Sequence, residues 1–415
     1  MGKRSTIKKD FKLTSLGPIP KEWEVYHFED IADIDKNTLS GSTKKDYRFK
    51  YISLSDIDSE EFKIETTDQV FSTAPSRARR IVKKGDILMS NVRPNLQGFS
   101  IIRDDVKNLI ASTGFSVITT KKGYNNEFVF QSLFGAHISR QLYQLLVGSN
   151  YPAISSSDVR KLKLPFPKFN EQIQIANILS LWDKSIATTT QLIIYKEDSQ
   201  KWLMQQLLTG QKRLKGFNDS WVTYEISELF QPVYRYVEWS DSDLYKLVSV
   251  RRRFGGLFFR GDLLGEQIGV KKLKSIHTGD FLISKRQVSH GAWTVVPKEF
   301  NKAKVSDEYD SLKIKDNRKL KNNFWRWFCQ TRKMVHFAYL DSTGVHFEKM
   351  IFDYDMFKKR KVKIPSSIVE QEAISNILDV SEQELHLLRV KAKNLREQKT
   401  GLMQVLLTGQ KRVEI

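Results

Sequence analysis

Cysteine is nearly missing: the 415 residues hold one, Cys329. That excludes a disulfide framework and any zinc site built on several thiolates, and it fits a reducing compartment such as the cytoplasm. No run of 18 apolar residues occurs, so no transmembrane helix is expected. The basic N-terminus has no apolar stretch behind it and does not read as a signal peptide. Acidic residues fall short of basic ones, 48 against 68, leaving a net charge of +20. The surplus points to a polyanionic partner, nucleic acid before a membrane surface. Motifs for chemistry are missing too. There is no glycine-rich cofactor loop with an Asn-Pro-Pro-Tyr-like tetrapeptide and no G-x-x-x-x-G-K-[ST] loop. The 7 histidines are scattered without ligand spacing. What is present suffices for folded cores: 40% hydrophobic and 11% aromatic residues, with no low-complexity run.

The chain is a tandem repeat. Leu207-Leu208-Thr209-Gly210-Gln211-Lys212-Arg213 recurs, at an offset of 199, as Leu406-Leu407-Thr408-Gly409-Gln410-Lys411-Arg412. The same offset aligns Glu171-Gln172 with Glu370-Gln371 and Leu203-Met204-Gln205 with Leu402-Met403-Gln404. Upstream, Gly85-Asp86 matches Gly279-Asp280, and Trp23-x-x-Tyr26 matches Trp221-x-x-Tyr224. Each repeat has a divergent front and a nearly constant tail. The spacing is too long for a solenoid and describes a duplicated two-part module.

The tails read as helices of about Glu171 to Thr209 and its counterpart. A 4-3 stripe runs through Ile374, Leu378, Ser381, Leu385, Leu388, Ala392, Leu395, Lys399, Leu402 and Leu406, and recurs in the same register from Ile175 to Leu207. That spacing predicts a coiled-coil seam, with the other repeat as the natural antiparallel partner. Asn170 is the expected N-cap, and Gly210 and Gly409 the C-terminal stops. The fronts read as mixed α/β. Strands are expected at Phe49 to Leu54, Ile87 to Ser90, Phe115 to Thr119, Leu244 to Val250, Phe281 to Ser284 and Trp293 to Val296, and helices near Phe128 to Leu146 and Lys321 to Phe337.

In this order and duplication the chain resembles the specificity (S) subunit of type I restriction–modification enzymes. The resemblance implies a mixed α+β fold with two similar target recognition domains, 1–168 and 214–366. They would be separated by two long antiparallel coiled-coil helices, 169–213 and 367–415, in a pseudo-two-fold arrangement. It also implies a chain without its own catalysis, and no cofactor in it. Each variable domain would read half of a split DNA target. Two methyltransferase (M) subunits would dock on the helices and restriction (R) subunits would join them. S-adenosylmethionine, ATP and Mg would sit on those partners.

Candidate DNA contacts follow from residue type and place. Asn91, Arg93, Asn95 and Gln97 follow one Gly-Asp strand, and Lys285, Arg286 and Gln287 follow the other; such side chains suit base edges and phosphates. Arg251, Arg252, Arg253 and Arg260 form a basic cluster. Asn150 and Tyr151 align loosely with Thr343 before the last strand of each front. The repeated Gln211, Lys212, Arg213 and Gln410, Lys411, Arg412 are the expected partner-docking residues, because packing alone rarely keeps an exposed polar tripeptide. Two other classes compete: an enzyme with an unrecognised site, and a structural coiled-coil protein whose charge is incidental.

Overall fold

A computed structural model describes residues 9–58, 63–146, 152–344, 346 and 350–413. The chain divides into two compact units, one made of 1–193 with 388–415 and the other of 194–387. Each unit takes a part of both long helices, Phe169–Leu208 and Ile368–Leu406.

The two units have the same sheet plan. In the first, one antiparallel sheet has the order Phe99–Ile101, Ile87–Ser90, Phe115–Thr120, Ala32–Ile34. A second sheet has the order Thr67–Val70, Arg48–Ile52, Leu109–Ser112, Ala78–Val82, with its central pair parallel. In the second unit the corresponding orders are Trp293–Val295, Phe281–Ser284, Tyr309–Ile314, Phe230–Pro232, and Leu257–Leu264, Leu244–Val250, Lys304–Ser306, Leu273–Ser275. There too the central pair of the second sheet is parallel. The middle strands Ile87–Ser90 and Phe281–Ser284 are buried at every residue, which explains their unbroken apolar runs. Five expected strands stand within one residue of their sequence limits. The sixth is Arg48–Ile52, because Leu54 already starts a 3-10 turn.

Each expected recognition-domain helix is two. One stretch is Asn126–Leu133 and Ala136–Leu145, the other Asn322–Phe328 and Arg332–Leu340. Gly135 and Thr331, in extended backbone, interrupt the runs and start the second helix of each pair.

The stripe on the tails is the packed face. None of its residues in either helix is exposed. Within the first unit Asp183 meets Lys399, Thr190 meets Arg396, and Glu171 meets Arg412, so the helix segments run antiparallel. Within the second unit Lys196 meets Glu384 and Arg213 meets Glu370 in the same sense. The helix ends belong to the domain cores: Ile175, Leu179, Met403, Leu406 and Leu407 pack with Trp23, Phe128 and Phe166, while Leu207, Leu208, Ile374 and Leu378 pack with Phe230, Trp325 and Phe357. The expected cap is displaced. The first long helix begins at Phe169, which puts Asn170 inside its first turn, and the Gln172 N–H bonds to the Lys168 carbonyl. Gly210 and Gly409 end the helices with φ of 72° and 69°. A Cβ on Gly409 would stand 2.3 Å from Pro20 Cγ, so both conformation and space require glycine there.

Candidate nucleic-acid interface

In the first unit the buried Ile87–Ser90 strand delivers the chain into the Asn91–Gln97 loop. Arg93 and Gln97 are held in left-handed backbone, φ 47° and 56°, on either side of a short 3-10 turn. Neither has the glycine that such backbone favours, so the surrounding structure must fix the loop. The loop root is tied on two sides. Asn91 N–H donates to Gly114 O, its carbonyl accepts from Ile154 N–H, and Arg93 N–H donates to Pro152 O at 2.8 Å. Arg93 and Asn95 are exposed and Gln97 is half-buried. Asn91 is not available as expected. It is buried, and its Oδ1 accepts the Ser116 hydroxyl at 2.8 Å, so its side chain holds the loop and does not face a base. Asn150 and Tyr151 lie outside the described residues.

In the second unit two candidates that are separate in sequence come together. The turn after Leu244–Val250 places Arg253 and Phe254 in left-handed backbone. Arg253 N–H donates to His290 O at 2.7 Å, Phe254 N–H to Gly291 O, and Arg252 Nε to Gln287 Oε1 at 2.7 Å. The Arg251 guanidinium lies over the Phe258 ring. The Lys285–Gln287 segment is joined in turn to Phe352 through Lys285 O, and the Ile351–Phe352 strand pairs with Ser342–Thr343. Arg251, Arg252, Arg253, Lys285, Arg286, Gln287 and Thr343 therefore sit on connected loops. Arg286 pairs with Glu308 at 2.6 Å, and Arg260 is exposed on the Leu257–Leu264 strand. Burial pushes the nearby Asp310 carboxyl up, with Lys285 and Lys274 pulling it down, and pushes Tyr354 up to about 12.

The repeated tail residues build an internal clamp. Trp23 is fully buried, and its Nε1–H donates to Glu171 Oε2 at 3.3 Å. Arg412 grips both oxygens of that carboxylate, at 2.6 and 2.8 Å, and reaches Glu22 at 3.1 Å. In the second unit Trp221 donates to Glu370 at 3.4 Å, and Arg213 grips the carboxylate at 2.7 and 2.8 Å. Gln172 and Gln371 each take an N–H from the recognition domain, of Asn125 and Lys321, and each donates to a carbonyl just before its own helix, of Pro167 and Pro365. A buried carboxylate needs a partner of this kind. The grip on a buried carboxylate thus accounts for Arg213, which is half-buried, and for Arg412, whose side chain is still 40% exposed. Gln211, Lys212, Gln410 and Lys411 remain exposed. The signal for the clamp was in the repeat, since all three of its residue types recur together.

Beside each clamp-bearing tail is a groove. In the first unit it has a volume of about 620 Å³ and is lined by Gly135, Ala136, Met403 and Gln404; in the second it has about 640 Å³ and is lined by Thr331, Arg332, Met204 and Gln205. Both lie where the recognition-domain helix breaks. Among the described residues no group of three His, Cys, Asp or Glu could hold a metal ion, and no helix is long and apolar enough to cross a membrane.

Residues 20–195 match the family of type I restriction modification DNA specificity domains. The whole chain is 24% identical to the putative type I restriction enzyme MjaX specificity subunit of Methanocaldococcus jannaschii, over 98% of each. It is also 27% identical over 226 residues to the MjaVIII specificity subunit of that organism, covering 51% of each. Residues 20–195 thus carry a type I restriction modification DNA specificity domain, and the chain as a whole is similar to type I restriction enzyme specificity subunits. The fold agrees. A solved chain from a study of complex assembly and conformational transition of the type I R-M system superposes with a TM-score of 0.59 at 20% identity, covering 95% of this chain and 99% of that one. The S subunit of the type I system of M. genitalium gives 0.56 at 14% identity, covering 97% and 98%.

Proposed function

We propose that this chain is the non-catalytic specificity subunit of a type I restriction–modification complex, that it reads a split, asymmetric DNA sequence, one half with each unit, and that it so directs adenine methylation and restriction carried out by partner subunits. One observation carries the reading: the two units share one sheet plan and carry different polar residues on the corresponding loops. Two alike readers in one chain do what a dimer of half-site readers does with two, but free to differ. The exposed candidates Arg93, Asn95, Arg251, Arg253, Arg260 and Thr343 contact the DNA, and the surplus of basic charge adds affinity for any sequence.

The long helices set the spacer. A helix of 40 residues spans roughly 60 Å at ~1.5 Å per residue, longer than a DNA turn of ~34 Å. The equivalent grooves support docking of two copies of one partner, the M subunits, with Gln211, Lys212, Gln410 and Lys411 beside them. R subunits join that assembly. S-adenosylmethionine, ATP and Mg act on the partners, in the cytoplasm. The test is the methylated motif in cells carrying this subunit with its M partner. Replacing 1–168 by the matching segment of another family member should change one half-site only. Inserting four residues near Thr188 to Thr190 adds ~6 Å of helix and should lengthen the gap by about one or two base pairs. Altered half-sites after the insertion would sink the spacer reading, and methylation by the purified chain alone would sink the non-catalytic one.

A further inference from the structure

Beneath the reading loops, the two units hold five side chains at equivalent backbone positions, and all five differ. The equivalences follow from hydrogen bonds. Asn91 N–H bonds to Gly114 O as Lys285 N–H does to Glu308 O, and Ile154 N–H bonds to Asn91 O as Phe352 N–H does to Lys285 O. Ser116 stands opposite Met89 as Asp310 stands opposite Ile283. Asp35 N–H bonds to Val117 O as Val233 N–H does to Ser311 O. Arg80 bridges Thr38 as Lys274 bridges Tyr236. Ser156 and Tyr354 each follow the residue that caps a short helix, Ser155 and Asp353.

In the first unit the five make a continuous chain of polar contacts. Arg80 pairs with Asp35 at 2.9 Å, and their side chains are 20% and 6% exposed. Asp35 accepts from the Ser156 hydroxyl and from Val117 N–H. The fully buried Ser116 hydroxyl stands 3.0 Å from Ser156 Oγ and 2.8 Å from Asn91 Oδ1, and its single proton is given to one or the other of these two acceptors. Asn91 is the first residue of the loop, and its backbone ties the loop to Gly114 and Ile154. In the second unit the same places hold Lys274, bound to Tyr309 O at 2.6 Å and to Asp307 at 3.0 Å, with Val233, Tyr354, Asp310 and Lys285. The preceding strand residue is serine in both units, Ser90 and Ser284. The scaffold is kept and the polar set under the loop is exchanged.

We propose that the Arg80–Asp35–Ser156–Ser116–Asn91 relay positions the Asn91–Gln97 loop and thereby sets the first half-site, without itself touching DNA. The inference rests on the assignment of the units as DNA readers. A buried polar chain fixes its members to one geometry, because each donor left without an acceptor costs free energy. Readout of base edges needs side chains held to ~0.5 Å. Arg93 and Asn95 inherit that placement from a loop root held at Asn91 and, through Arg93 N–H, at Pro152. The Lys274–Asp310–Tyr354 set would do the same for the second half-site with a different loop course.

The test uses the full chain with the methyltransferase subunits of its own system, read by methylome sequencing. Ser116→Ala removes the central link. Methylation should persist, with near-cognate first half-sites methylated at least tenfold more than by wild type, an unchanged second half-site, and a melting temperature within a few degrees. Asp310→Asn should change the second half-site alone. If Ser116→Ala does not fold, Ser116→Cys, which keeps a side chain in place but donates weakly, carries the same expectation. An unchanged motif in both variants, or a uniform loss of methylation with the motif intact, would overturn the proposal. Failure of the wild-type complex to methylate a split motif would instead overturn the DNA-reading assignment.

Discussion

Arg412→Ala removes both bonds that hold the Glu171 carboxylate and leaves it with the Trp23 Nε1–H at 3.3 Å. The Glu171 side chain is 1% exposed, so its charge stays in a poorly solvated place. Removing one partner of a buried ion pair costs ~3–5 kcal/mol. The Arg412 side chain is 40% exposed, so water will replace part of what it supplies, and we expect a loss of about 2–4 kcal/mol. For a unit of this size each kcal/mol lowers the melting temperature by ~2–4 °C, so thermal denaturation should show a drop of roughly 4–16 °C. The loss should come mostly from stranding a charge. Glu171→Gln/Arg412→Ala, which strands only an amide, should therefore be more stable than Arg412→Ala alone. Arg412→Lys, which keeps the charge but not the two-pronged grip, should fall between wild type and alanine. Arg213→Ala should behave likewise, since Glu370 is 0% exposed. A change below about 1 kcal/mol for Arg412→Ala, or a double variant no better than the single, would refute the clamp.

Other consequences are as direct. Lys399 and Asp183 form a buried pair, 10% and 8% exposed, and Gln131 adds a bond to Asp183 at 2.6 Å. Lys399→Met should cost ~3–5 kcal/mol in urea denaturation, and Lys399→Met/Asp183→Leu should recover much of it. Burial pushes the Cys329 thiol far up, so Ellman's reagent should find no reactive thiol in the folded protein and one after denaturation. The hydrogen bond from Lys272 holds the Asp307 carboxyl at about 2, aided by Lys274 and opposed by its slight burial. Its stabilisation is present above the unfolded value of ~3.9 and is lost as pH falls through about 2. Asp307→Asn should therefore be less stable than wild type at pH 6, and the difference should shrink on acidification; a gap that stays constant to pH 2.5 would contradict it.

Much of the architecture was legible because it is periodic. The stripe from Ile374 to Leu406 marked the packed helix face, and the runs at Ile87 and Phe281 marked buried strands. The helix break at Gly135 was missed because the apolar pattern resumes at Ile138 without a change of phase that a reader would notice. Asn170 has the residue type of a cap, yet the helix starts at Phe169, two residues before the expected Glu171. The clamp was visible only in pieces. Trp23, Glu171 and Arg412 are 389 residues apart at the extremes, and nothing local says that they meet. Asn91 failed as a candidate for a related reason: polarity suggests a contact but does not say whether the partner is a base or Ser116. The relay through Asp35, Arg80, Ser116 and Ser156 carries no motif, since its members are common residues joined only by the fold.

The division of the helices between the units has a consequence for how the protein is made. The second unit is one continuous stretch, 194–387, and holds all of its core once Leu387 has been synthesised. The first unit is not continuous. Its core needs Met403, Leu406 and Leu407, and its clamp needs Arg412. The N-terminal 193 residues must therefore wait, with Trp23 and Phe128 incompletely covered, while the rest of the chain emerges. Sequence order and order of completion are reversed: the unit that begins first closes last, and a chain cut short by premature termination exposes the apolar surface by which a cell's quality control recognises unfinished protein.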